Sequence, residues 1–159
     1  MIVQCTQRHV DRFIPMQKPD PRFLAAWRAF LEAHVTITRQ LNDELQEAAG
    51  FPLAWYDLLV QLNEAGGVLR MHQLADSLLI SRSATTRFVD RIENRGFIRR
   101  EICDEDRRGM NVVLTDQGLD ALRRAAPMHL DGVARLFTSR LTHTEAVDLL
   151  GVFSRLMSD

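Results

Sequence analysis

A chain of 159 residues, 46% hydrophobic and 26% charged, can fill one respectable core and is most economically a single domain. Its net charge of −1 argues against a protein that coats nucleic acid indiscriminately, and two cysteines, Cys5 and Cys103, are too few for a disulfide framework. No stretch approaches the roughly 20 apolar residues of a membrane helix, and no basic start leads into an apolar run, so a cytoplasmic protein without a membrane partner is expected.

Residues 1–19 carry small apolar groups interrupted by Pro15 and Pro19 and read as an arm. Asp20 then supplies an N-cap with Pro21 at the first helical position, and neither Gly nor Pro recurs until Gly50. Phe23, Trp27, Phe30, Ile37, Leu41 and Leu45 keep the helical period along that run, which is roughly 40 Å long at 1.5 Å per residue. Such a helix outreaches a small core, so part of it is expected to pack on another subunit.

A second helix restarts at Phe51-Pro52 with Trp55, Leu58, Leu59 and Leu62 inward, and Gly66-Gly67 ends it. A brief extended piece, Val68 to Arg70, leads to a short helix from about Met71 to Leu78. Ser81 caps the next helix, which Gly96 terminates. Thr85, Phe88, Val89 and Ile92 share one face of it, while Ser83, Thr86, Arg87, Asp90 and Arg91 share the other. From Phe97 to Leu114 the period becomes that of strands, FIRREIC and MNVVL, around the polar turn DEDRRG, which reads as a hairpin. Thr115 caps a helix bearing Leu119, Leu122, Ala126, Leu130, Val133 and Phe137. A last helix opens on the capping box Thr142 to Glu145, with Ala146, Leu149, Leu150, Phe153 and Leu156 as its apolar positions. The expected class is mainly α with a small β-hairpin wing (α+β).

Between Arg82 and Arg108 eight arginines meet six acids, leaving +2 there and −3 over the remainder. A basic segment on an acidic body suits local contact with phosphates. Two short helices followed at once by an arginine-tipped hairpin are the working parts of a winged helix-turn-helix. The second helix fits the major groove, where Arg donates twice to guanine and Ser or Thr reaches base edges, and Arg82, Ser83, Thr86 and Arg87 occupy its first two turns. Arg107 and Arg108 at the wing tip suit the narrower minor groove.

The stretch LRMHQLADSLLISRSATTRFVDRIENRGFIRREICDEDRRGMNVVLTDQG resembles the DNA-binding core of MarR-type regulators. Their pattern is S-R-S-x-x-T-R-x-V-D-R-L-E, then G-L/F-I/V, D-x-R in the wing and L-T-x-x-G after it, and the resemblance covers nearly all of the chain beyond the first twenty residues. It implies that Arg108 enters the minor groove with Asp106 orienting it, and that Arg82, Ser83, Thr86 and Arg87 read the major groove. It also implies a homodimer on a pseudo-palindromic site in double-stranded DNA. The winged helix-turn-helix would then be residues 51–114, and the dimerisation portion residues 20–50 plus 115–159. Leu79 departs from the pattern, which often has Gly in the turn.

Relatives of this kind often take a small phenolic or anionic effector, and Trp27, His34, Trp55 and Tyr56 are the residues that would line such a pocket. Aromatics at helical spacing more often fill cores and interfaces. Cys5 lies well before the first helix and Cys103 ends a wing strand, so neither matches the cysteine placement of redox-sensing members. His9, His34, His72, His129 and His143 are scattered singly, so no metal or other cofactor is expected. No nucleophile elbow, P-loop, dinucleotide fingerprint or HExxH helix is present, so no enzyme is expected. The alternative is a protein-interaction module that retains a winged helix without specific DNA binding.

Overall fold

The computed structural model describes residues 19–77, 82–102 and 109–158. The chain divides into two compact units, Met1–His34 and Val35–Asp159. Helix α1, Pro21–Ala49, supplies the described part of the first unit and opens the second. Asp20 begins it as the sequence predicts, its carboxylate accepting from the Arg22 backbone N–H at 2.8 Å and pairing with the Arg22 guanidinium at 2.8 Å. In the first unit Phe23, Leu24, Trp27, Phe30 and Leu31 are all exposed, with Trp27 and Phe30 ring centroids 5.8 Å apart.

The second unit continues with α2 (Leu53–Glu64), β1 (Val68–Arg70), α3 (Met71–Ser77), α4 (Arg82–Glu93), β2 (Ile98–Ile102), β3 (Met110–Leu114), α5 (Asp116–Leu136), a 3-10 turn (Thr138–Arg140) and α6 (His143–Met157). Pro52 offers α2 no side-chain cap, and Asn42 of α1 serves instead, its Oδ1 accepting from the Leu53 N–H at 3.2 Å. The strands form an antiparallel sheet in the order β1-β3-β2, so the hairpin gains the brief extended piece as a third strand. Val68 lies opposite Val113, and Ile98 opposite Leu114.

Leu45, Phe51, Leu58, Leu59, Leu62 and Leu74 meet Val89, Ile92, Ile98, Val112, Leu122 and Ala125 in one core. Phe97 sits among aromatics, its ring 5.5 Å edge-on from Phe51 and 6.2 Å edge-on from Trp55. The α5 helix buries Gly118, Ala121, Leu122, Ala125, Gly132 and Leu136. Leu130 and Phe137, two of the apolar positions read along this segment, are 63% and 40% exposed. Small residues let α5 approach its neighbours closely, with Leu122 and Leu136 beside them inside and Leu130 left on the outer side. No residue of α6 is buried, and Leu150 and Leu156 stand 67% and 75% exposed. Its capping box forms as predicted: the Thr142 hydroxyl and Glu145 backbone N–H pair at 3.3 Å, and Glu145 accepts from the Thr142 N–H at 2.8 Å.

Thr115 joins the sheet to α5. Its hydroxyl accepts from the Gly118 N–H at 3.0 Å and donates to the Gly96 carbonyl at 2.6 Å, while its own N–H reaches the Phe97 carbonyl at 3.1 Å. Thr115→Val keeps the shape and loses both hydroxyl bonds, which should lower unfolding stability by about 2 kcal/mol. Thr115→Ser should recover most of it. Equal urea midpoints for the parent and the valine variant would remove this capping role.

Candidate nucleic-acid interface

Helix α4 is held by one face and open on the other. Thr85, Val89 and Ile92 are fully buried and Phe88 is half-buried, whereas Thr86, Arg87 and Arg91 are exposed. These are the two faces that the spacing predicts. Gly96 ends the segment with φ of 75°, a left-handed conformation that costs glycine least. Its N–H reaches the Glu93 carbonyl at 2.7 Å, so the chain turns sharply into β2. Ala84, Arg87, Asp90 and Arg91 line a shallow open depression on the outer face.

The arginines of this segment divide by partner. Arg100 on β2 pairs with Asp90 at 2.7 Å and with Glu93, while its backbone N–H donates to Glu93 at 2.8 Å. Arg99 pairs with Glu101 at 2.7 Å, and the Arg95 guanidinium lies 5.7 Å from the centre of the Phe97 ring. Arg87 and Arg91 make no ion pair among the described residues. They are one helical turn apart, so two cations without an ion-pair partner among the described residues project from one face. Arg91 sits in the last turn, where a cation also complements the helix dipole. It joins Thr86 and Arg87 as a surface group through its i+4 relation to Arg87.

The backbone of Arg82 and Ser83 begins α4, and their side chains lie outside the described set. Asp106, Arg107 and Arg108 at the wing tip, Leu79 and Ser81 in the turn, and both cysteines lie outside the described residues.

The four aromatic positions have separate surroundings. Trp27 is 58% exposed and belongs with His34 to the first unit, where Phe30 lies between them, 6.2 Å from the His34 ring. In the second unit Trp55 stacks on Phe51 at 6.4 Å, while Tyr56 is buried with its ring 4.4 Å from His129. His129 on α5 was not singled out by spacing, since a lone histidine in a helix carries no signal.

Nδ1 of His129 is buried with no hydrogen-bond partner among the described residues. Burial pushes the imidazole below its ordinary value, and the Asp57 carboxylate opposes this only in part. The Asp57 residue as a whole is exposed, yet its carboxyl is crowded enough to be pushed up, with His129 pulling it back. Burial also raises the Tyr56 hydroxyl, reinforced by the Asp57 charge.

An imidazole with a lowered value in the folded chain binds fewer protons there than in the unfolded chain. Its neutral form therefore supports folding above the ordinary value near 6.5, and that support is lost as pH falls through the lowered value. Asp57 acts oppositely at lower pH, where its raised value lets the folded chain bind the extra proton. Unfolding stability should fall from about pH 7 to pH 5, and His129→Phe should flatten that part of the profile while keeping a ring against Tyr56. Urea midpoints that decline identically in parent and variant would remove the imidazole from the account.

Comparison with known proteins agrees with this geometry. The profile of the MarR family matches residues 49–109. The chain is similar to Sco3205, a MarR family transcriptional regulator from Streptomyces coelicolor solved in complex with DNA. The identity is 36%, the likeness covers 88% of each chain, and the TM-score is 0.83. It is 35% identical over 118 residues to the transcriptional repressor MprA of Escherichia coli K12, covering 74% of this chain and 66% of that one. It is also 29% identical over 103 residues to the regulator PecS of Dickeya dadantii, covering 64% of this chain and 61% of PecS, less than two thirds of that protein's length. Among the described residues no helix is long and apolar enough to cross a membrane. With its fold and the α4 surface placed as above, the chain belongs to the MarR family of transcriptional regulators.

Proposed function

We propose that this protein is a cytoplasmic transcription regulator that binds double-stranded DNA sequence-specifically as a homodimer, acting as a repressor on a pseudo-palindromic operator. The observation that carries this reading is the two-sided α4 helix. Thr85, Val89 and Ile92 fix it in the core, while Thr86, Arg87 and Arg91 face outward without a carboxylate partner among the described residues for either arginine. A helix so presented enters the major groove, with Arg82, Ser83, Thr86 and Arg87 toward the bases and phosphates. Arg107 and Arg108 follow in the adjacent minor groove, Asp106 holding Arg108 in place. That Sco3205 was solved in complex with DNA supports the DNA-binding reading.

Residues 20–50 and 115–159 form the dimerisation portion in this reading. The uncovered Phe23, Trp27 and Phe30 of α1, and separately Leu150 and Leu156 of α6, are large apolar groups of the kind that a second copy covers. A small phenolic or anionic effector would release the DNA.

Selection of sites from random duplexes by the purified protein tests the reading. The expected product is a two-fold symmetric site with half-site centres about 10 base pairs apart. Recovery of no preferred site, with equal retention of a scrambled duplex, would favour a protein-interaction module instead.

A further inference from the structure

Arg100 lies within the basic segment and at the centre of β2, so its charge alone would count it among groups that reach phosphate. Its geometry gives it a different task. The guanidinium spans two carboxylates one helical turn apart on α4, with Nη1 2.7 Å from Asp90 Oδ1 and Nη2 on Glu93 Oε2. The same residue's backbone N–H donates to Glu93 Oε1 at 2.8 Å, so the Glu93 carboxylate is gripped at both oxygens. Side-chain exposures of 30% for Arg100 and 28% for Glu93 leave the pair half-shielded, where it is screened less than a surface pair. Asp90 shares the outward depression with Arg87 and Arg91, so the clamp ends beside these two arginines. In the other direction β2 runs through Ile102 toward the wing, and Arg100 is itself in register with Val112 of β3.

We infer that Arg100, with Asp90 and Glu93, is a positioning residue that fixes the angle between the DNA-reading helix and the wing strand, setting base discrimination without touching DNA. The inference rests on the DNA-binding reading above. A two-point grip by a planar guanidinium resists rotation of α4 about its own axis, which a single ion pair would allow. Rotation would swing Arg87 away from a base edge while leaving it close to phosphate, so specificity would suffer before affinity for DNA in general.

The test measures affinity of the full chain for its selected duplex and for a scrambled duplex, each across a salt series, in the parent, Arg100→Ala, Arg100→Lys and Glu93→Gln. Arg100→Ala should reduce the ratio of specific to scrambled affinity about tenfold. The slope of log affinity against log salt should stay as in the parent, because no phosphate contact is lost. Lysine can satisfy one carboxylate at a time and should give an intermediate ratio.

Glu93→Gln is the decisive second variant, because removing an acid cannot remove a phosphate contact and would by charge alone strengthen binding to any DNA. A reduced ratio in Glu93→Gln therefore supports the clamp. A slope lower by about 0.9 per subunit, about 1.8 for the dimer, in Arg100→Ala marks a direct phosphate contact and overturns the inference. Specific and scrambled affinities that fall in proportion indicate mere loss of folded protein, and an unchanged ratio indicates no role; either overturns it. A parent that does not prefer its selected duplex overturns the DNA-binding reading itself, and the clamp with it.

Discussion

Gly118→Ala should lower unfolding stability by about 3 kcal/mol, because a methyl group there would meet the tightest overlap among the glycines compared. Gly118 is buried in the first turn of α5, and a Cβ there would stand 2.0 Å from the Phe97 carbonyl oxygen, 2.8 Å from its carbon and 2.9 Å from Leu114 Cδ1. The oxygen cannot swing aside cheaply, because it already accepts from the Thr115 N–H at 3.1 Å and belongs to the chain entering β2. Alanine would gain up to about 1 kcal/mol of helix propensity, too little to offset such an overlap. Gly132→Ala is the informative control, since its Cβ would meet Leu41 Cδ2 at 2.6 Å and Glu44 Oε2 at 3.0 Å, both ends of side chains that can rotate. Chemical unfolding followed by circular dichroism should separate the two variants clearly. Matching midpoints for Gly118→Ala and the parent would contradict the packing of α5 on the start of β2.

Arg87→Ala should weaken binding to the selected duplex by about 1 to 3 kcal/mol per half-site, roughly 5-fold to 150-fold, and relax preference at one position of it. The reason is local. Arg87 is exposed in the second turn of α4, its helix is anchored by buried Thr85 and Val89, and no carboxylate among the described residues competes for its guanidinium. Arg87→Lys keeps the charge and loses the planar fork, so it should retain general affinity while giving up most of the base preference. A retardation assay at fixed salt reads both variants. Parent-like binding by Arg87→Ala and by Arg108→Ala together would remove the assigned contact surface.

Much of the architecture was legible because its signals are local. Asp20-Pro21 and Gly50 bracket α1, Thr142 and Glu145 open α6, and the change from helical to strand period marks β2 and β3. The split of α4 into Thr85, Val89 and Ile92 inside and Thr86, Arg87 and Arg91 outside also followed from periodicity alone. On α5 periodicity picks out large apolar groups such as Leu122, whereas close helix packing there also uses Gly118, Ala121, Ala125 and Gly132, which carry no such signal. Leu130 and Phe137, apolar positions at helical spacing, stand on a face that the isolated chain does not cover.

Counting charge along the chain likewise treated Arg99 and Arg100 as equal to Arg87. Their carboxylate partners are two to ten residues away in sequence but in contact in space, and no spacing rule distinguishes such a pair from a free cation. The His129 and Tyr56 contact was invisible for the same reason, since it joins α2 to α5 across most of the second unit.

The strand order β1-β3-β2 governs when the reading helix acquires its fixed place. Val68 pairs with Val113, so the ends of the segment that contains both α3 and α4 meet only when β3 arrives. Closing a loop of that length carries an entropic penalty that local helix formation cannot repay alone. A nascent chain still short of Leu114 thus has α1 and α2 to pack its helix pair against but lacks the strand that ties β1 to β2, and the segment is zipped shut only as that last strand leaves the ribosome.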